Sequence, residues 1–295
     1  MNKTIYLYTL LAFFLATASG SARELVDSTF HKSVVMDRPS RVVTLAPSLG
    51  ELVADFDEDM SRIVAVSEYT DYPPGLKKKP SIGPYSQVNL ERILSFRPDL
   101  VLATLDGNPK DSIIHLRELG VPVVVVSTQN FSEIEDSIKM VALALGEVDR
   151  GNQMIQQFKL GLDRIRKKGQ VDGKARRLRV MIQVGDDPLI VAGKKSFLNE
   201  ALQAVGATNI YADAEAHYPR PSLEDVVTRD PDVIIVAALG EDARTYQQTA
   251  LRWHQFKALS AVKRHKVRVL RSDALLRPSL RLLEGLSQLG KCIYE

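Results

Sequence analysis

One cysteine, Cys292, stands in a chain of 295 residues. A single thiol excludes an internal disulfide and any paired-cysteine zinc or redox motif, so the fold must rest on its core. Tryptophan occurs once and aromatic residues make up 6% of the chain, so tyrosines gathered in a loop stand out. Charge of one sign is also missing. Thirty-nine Lys and Arg against 36 Asp and Glu leave a formal charge of +3, a near-balance that says little about nucleic acid, and no nucleic-acid partner is expected. "KKK" at 77–79 and the basic stretch at 164–179 read as solvated faces. No H-E-x-x-H, G-x-S-x-G or G-x-G-x-x-G is present. "AGKKS" at 192–196 lacks the first glycine of a phosphate loop and carries Lys195 where Ser or Thr is needed. The five histidines show no metal-ligand spacing, so no metal site is expected.

One long apolar run does occur, at the N-terminus. Lys3 is followed by "IYLYTLLAFFLA" and the small residues "TASGSA" before Arg23. That order is the layout of a secretory signal peptide, too short for a comfortable membrane span. The expected leader is residues 1–22, with cleavage after Ala18 or Ala22. No cysteine follows the run, so a lipid anchor at the cleavage site is excluded. The expected mature protein is exported, soluble and not inserted in a membrane.

The chain writes one sentence twice. "NLERILSFRPDLVLA" at 89–103 returns as "SLEDVVTRDPDVIIV" at 222–236, with Leu90, Glu91, Pro98 and Asp99 matching Leu223, Glu224, Pro231 and Asp232 at a constant offset of 133 residues. Asn89 and Ser222 suit helix N-caps, since a side-chain oxygen there accepts a free N–H of the first turn. Leu90, Ile93 and Leu94, like Leu223, Val226 and Val227, form one apolar stripe. Each proline stops its helix, because the residue before a proline avoids helical geometry. "LVLA" and "VIIVAA" then read as strands covered on both faces. Helix followed by buried strand is half of a βαβ unit, so the duplication predicts two similar α/β lobes.

Further strands are expected at 41–48, with a turn at Pro47-Ser48, at 62–69, after Gly120, after Arg177 and at "HKVRVL". Met154, Phe158, Leu162 and Ile165 mark a long amphipathic helix. The expected division is an N-terminal lobe at 23–146, an interlobe helix at 147–172 and a C-terminal lobe at 173–295. A helix starting near Pro278 closes the chain. Asp99 and Asp232, each after a proline, suit strand boundaries better than acid–base chemistry.

Tyr69, Tyr72 and Tyr85 fall within 17 residues, all in connections. Tyr85 lies six residues before Glu91, and Tyr218 lies six before Glu224, so the duplication carries an aromatic as well as a glutamate. Loops at strand ends hold ligands in α/β sheets, and a tyrosine there offers a flat apolar face with a polar tip. Tyr85 and Tyr218 are therefore expected against a ligand, and Tyr72 packed under its own loop.

With these residues in view, "RVVTLAPSLGELV", "SEYTDYPP", "NLERILSFRPDLVLAT", "DGNP", "PSLEDVVTRDPDVIIV" and "SDALLRPSLRLLEGL" resemble the periplasmic binding proteins that serve importers of cobalamin, haem and ferric siderophores. The match runs from about residue 41 to the end. "SEYTDYPP" and "DGNP" are most similar to the cobalamin-binding members. The resemblance implies two Rossmann-like lobes joined by a single long α-helix. It also implies a monomer in the periplasm that takes a small-molecule ligand to the permease dimer of an ABC importer, with no resident cofactor and no catalysis. Tyr69 matches a cleft tyrosine, and Tyr85 and Tyr218 stand where cobalamin binders carry tryptophans. Asp273 and Arg277 match ligand residues, whereas Thr104, Ala274 and Leu275 replace aromatics. Glu91 and Glu224 match the carboxylates that dock onto transporter arginines.

Three alternatives stay open. Haem would use Tyr85 or His217 as an axial ligand. A ferric siderophore would present anionic oxygens to Arg220 and Arg277. From another class, an exported α/β enzyme acting on a cell-envelope metabolite remains, against which stands the lack of a nucleophile–base pair.

Overall fold

The structure is a computed structural model, and it describes residues 21–170, 177–238 and 243–295. Most of the expected leader and the last two residues of the expected interlobe helix lie outside the described residues. The chain opens with a hairpin, β1 (Ala22–Val26) and β2 (Lys32–Met36), that the sequence reading does not anticipate. It is tied to the edge of the first sheet. Asp27 accepts the Val125 N–H at 3.0 Å and pairs with Arg117, and Ser33 Oγ donates to the Val123 carbonyl at 2.8 Å. Covering that edge removes a template for unwanted strand pairing.

The first lobe follows as β3 (Val42–Thr44), α1 (Pro47–Phe56), β4 (Ile63–Val66), a 3-10 turn (Pro74–Lys78), α2 (Leu90–Ser95), β5 (Leu100–Thr104), α3 (Lys110–Glu118) and β6 (Val123–Val126). Its sheet runs β4-β3-β5-β6, all parallel. Pro47, expected in a turn, is the first residue of α1, where its fixed φ and missing N–H cost nothing.

Two helices then leave the lobe, α4 (Phe131–Leu145) and α5 (Val148–Gln170). Gly146 sits between them at φ 75°, the left-handed cap that a side chain resists. Met154, Phe158 and Leu162 of α5 are buried, as the stripe predicts, and Phe158 meets Phe131 edge to face at 6.3 Å.

The second lobe contains β7 (Arg179–Gly185), β8 (Ile190–Val191), α6 (Phe197–Ala204), β9 (Thr208–Asn209), α7 (Leu223–Arg229), β10 (Val233–Ala238), α8 (Ala243–Trp253), α9 (Ser260–Lys263) and β11 (Val267–Arg271). Its sheet runs β11-β10-β7-β8, with β9 also parallel to β7. The chain ends in α10 (Asp273–Leu276) and α11 (Leu282–Tyr294).

Both duplicated units fold alike. Asn89 Oδ1 accepts the Arg92 N–H at 2.9 Å, and Ser222 Oγ accepts the Asp225 N–H at 3.2 Å. Asp99 accepts the Ser40 and Arg41 N–H groups, and Asp232 accepts that of Arg179, each at strand boundaries. One face of each sheet packs under its own short helices, around Ile93 and Ile113 in one lobe and Val226 and Trp253 in the other. The opposite faces join a core shared with α4, α5 and α11. Burial on both sides is why these strands read as unbroken apolar runs.

Candidate functional site

The two lobes aim their strand ends, and the loops that follow them, at a common region. Tyr69 follows β4 in a left-handed conformation (φ 63°) and is 68% exposed. Its carbonyl accepts a hydrogen bond from Arg277 Nη2 at 2.9 Å. Tyr72, expected under its own loop, instead lies beneath the guanidinium of Arg281, 3.5 Å from the ring centroid.

Tyr85 is placed by the loop after β5. Its ring packs over Gly107, where an added Cβ would lie 2.8 Å from the ring carbons. Asn108, almost fully buried, builds the support. Its amide donates to the carbonyls of Leu45 at 2.8 Å and Tyr85 at 2.9 Å, while Oδ1 accepts the Thr104 N–H at 2.8 Å. A buried amide with these partners locks three chain segments together.

Tyr218 comes from the equivalent loop of the second lobe. The end of β8 and the turn after it hold that loop through Val191 N–H to the Pro219 carbonyl (3.1 Å) and Gly193 N–H to the His217 carbonyl (2.9 Å). Tyr218 is half-exposed, yet burial pushes its phenol up to about 12, with the Asp106 carboxylate and the Tyr85 phenol adding to the effect. That electrostatic influence puts Tyr218 in the neighbourhood of Asp106 and Tyr85, which come from the other lobe. His217 has its Nδ1 2.9 Å from the Lys195 carbonyl. Among the described residues, no group of three or more His, Cys, Asp or Glu could hold a metal.

Asp273 and Arg277 form a second group with Tyr69. Asp273 opens α10 behind the Ser272 cap and lies 3.4 Å from Arg277. Arg277 departs from the expectation of a ligand contact. It is 5% exposed, and its guanidinium is engaged by Glu51 at 3.1 Å, Asp71 at 2.6 Å and the Tyr69 carbonyl. A desolvated guanidinium needs such acceptors, and four of them leave it little to offer a ligand directly. A cavity of about 420 Å³ borders this group, lined by Arg271, Ser272, Asp273, Arg281, Glu284 and Gln288.

Glu51, Asp71, Asn108 and Arg281 escape sequence reasoning. Glu51 and Arg281 lie inside quoted segments, but nothing in a linear sequence pairs residues 230 positions apart. Asn108 is inside "DGNP", a polar turn that reads as a connection.

Glu91 and Glu224 stand apart from both groups, exposed at the second position of α2 and α7. The backbone N–H at the helix start and the Ser222 hydroxyl hold the Glu224 carboxyl below its ordinary range.

Residues 42–274 match the model of a family described as "Periplasmic binding protein". The vitamin B12-binding protein of Vibrio cholerae is 30% identical over 260 residues, 86% of this chain and 88% of that one. The crystal structure of a periplasmic vitamin B12-binding protein from Vibrio cholerae superposes with a TM-score of 0.74 at 28% identity, over 86% of this chain and 96% of that one. A periplasmic haem-binding protein of Pseudomonas aeruginosa gives a TM-score of 0.78 at 25% identity, over 87% and 93%. With two α/β lobes, one connecting helix and a family match across most of its length, this chain belongs to the periplasmic binding proteins.

Proposed function

We propose that this protein captures cobalamin between its lobes in the periplasm and delivers it to the permease dimer of an ABC importer. It acts as a monomer without a resident cofactor and carries out no covalent chemistry. Tyr69 and Tyr85 contact the ligand from one lobe, Tyr218 and Asp273 from the other, with Arg277 behind them. Glu91 and Glu224 dock on the transporter. The observation that carries the reading is the electrostatic nearness of Tyr85 and Tyr218, two loop tyrosines from equivalent places in the duplication. Two aromatic rings supplied by different lobes suit a large planar ligand. Similarity to vitamin B12-binding proteins supports cobalamin as that ligand.

Calorimetric titration with cyanocobalamin, haemin and a ferric siderophore tests the assignment. Heat with cyanocobalamin alone is the expected result, and tight haemin binding with none for cyanocobalamin would overturn it. Export is tested at the N-terminus. The Ser21 carbonyl accepts the Asp37 N–H at 2.8 Å and Ala22 pairs with Met36, so cleavage after Ala18 keeps the hairpin whole. Mass spectrometry of periplasmic protein is expected to find Ser19 first.

A further inference from the structure

Behind the proposed cleft lies a group of charges that crosses the lobes. Glu51, on α1 of the first lobe, is 2% exposed. Its Oε1 accepts from Arg277 at 3.1 Å and Arg281 at 2.9 Å, and Oε2 accepts from Ser279 Oγ at 2.8 Å. All three partners come from the segment between α10 and α11, more than 220 residues away. Each arginine also reaches the turn after β4. Arg277 donates to the Tyr69 carbonyl and pairs with Asp71, and Arg281 stacks on Tyr72. One buried carboxylate therefore fixes two guanidiniums, and those two hold residues 69–72 from the opposite lobe.

We propose that Glu51 is a positioning residue for ligand capture, setting the cleft segment 69–72 through Arg277 and Arg281 without touching the ligand. This rests on reading that segment as a wall of the cleft. The physical case is one of geometry. Tyr69 is highly exposed and held in a left-handed backbone conformation, so its own side chain supplies little to fix it. What fixes it arrives from the C-terminal segment. Removing one partner from a buried ion cluster leaves the others desolvated and unpaired, and they then seek new acceptors. With Glu51 uncharged, Arg277 and Arg281 redistribute toward Asp71, Asp273 and Glu284, which shifts the carbonyl and the ring they hold.

The test compares the mature wild-type protein with Glu51→Gln, which keeps the shape and the Ser279 hydrogen bond but removes the charge. Hydrogen–deuterium exchange of the ligand-free proteins is followed at residues 68–73 and at the core strand 100–104. Faster exchange by about tenfold at 68–73 with an unchanged strand is expected, as is about a tenfold weaker dissociation constant for cyanocobalamin. Glu51→Asp, which restores the charge, should recover part of both effects. Unchanged exchange at 68–73, or equal behaviour of the Gln and Asp variants, overturns the proposal. Should Glu51→Gln not fold, Arg281→Lys replaces it, since it keeps the charge and loses the flat stacking on Tyr72. The same exchange pattern then supports the proposal, and wild-type exchange at 68–73 overturns it. If the wild type does not bind cyanocobalamin, the ligand assignment fails while the exchange measurement still decides the role of Glu51.

Discussion

Glu200, on α6 of the second lobe, accepts the backbone N–H of Phe131 at 2.6 Å, at the first turn of α4. The side chain of one lobe thus satisfies a helix terminus that leads out of the other. Together with the Glu51 group and the core shared along α5, it joins the lobes at three places. Hinge opening needs a few residues free to absorb large backbone changes, and here they are braced. Small-angle scattering profiles with and without ligand are therefore expected to superpose. A clear compaction on binding would show that the braces yield.

Tyr85→Ala removes an aromatic face from the cleft and is expected to weaken ligand binding by about 1–3 kcal/mol. Asn108→Ala should do the same from a distance. It leaves the Leu45 and Tyr85 carbonyls without a donor and the Thr104 N–H without an acceptor, at a cost to stability of about 1–3 kcal/mol. Urea midpoints and calorimetry separate the two variants: Tyr85→Ala loses affinity alone, Asn108→Ala loses both.

Glu91→Ala combined with Glu224→Ala is expected to leave ligand affinity intact and to reduce uptake by the reconstituted importer. Carboxylate–guanidinium pairs give directional, bidentate contacts that alanine cannot replace. Uptake at the wild-type rate would reduce both glutamates to helix starts, where a carboxylate gains about 0.3–1 kcal/mol from the dipole.

Asp55 lies one turn beyond Glu51 on α1. Burial first, and then the Glu51 charge, push its carboxyl up from 3.8 to about 6, against the pull of Arg150 and Arg281. The folded state holds the Asp55 proton more tightly than the unfolded chain, so ionisation costs stability as pH rises through that window. Asp55→Asn is expected to match the parent below pH 3.8 and to exceed it above about pH 6. Urea denaturation at both pH values checks the sign; a variant less stable than the parent at pH 7.5 would refute it.

The strands were legible because burial on both faces leaves an unbroken apolar signature, and Val233–Ala238 is found where "VIIVAA" predicts it. The hairpin was not. Its inward residues are Leu25, Ser33 and Val35, while Val26, Val34 and Met36 face outward, so the alternation that marks a strand is inverted in places. Helix α8 was missed too, although Tyr246, Thr249, Ala250 and Trp253 stand at helical spacing on its core-facing side, because only a short apolar stripe interrupts a polar segment. The C-terminal helix was expected from Pro278 but begins at Leu282, because the chain first crosses to Glu51. In the candidate site, Tyr85 and Tyr218 were singled out by the repeat and Tyr69 by the resemblance. Arg277 was visible as a residue but not as a buried one, since its partner Glu51 is 226 positions away.

The matching helix starts at Glu91 and Glu224 have a consequence for recognition by a two-fold partner. Each follows a side-chain cap, Asn89 in one lobe and Ser222 in the other, with an exposed carboxylate at the second position and a parallel strand behind it. Under the proposed docking, such a partner meets a similar capped helix start on each lobe. The two-fold symmetry of the partner itself gives encounter two equivalent poses, a statistical factor worth about 0.4 kcal/mol. The loops between the glutamates are not interchangeable, so if Glu91 and Glu224 dock as proposed, the cargo is presented in either of two orientations.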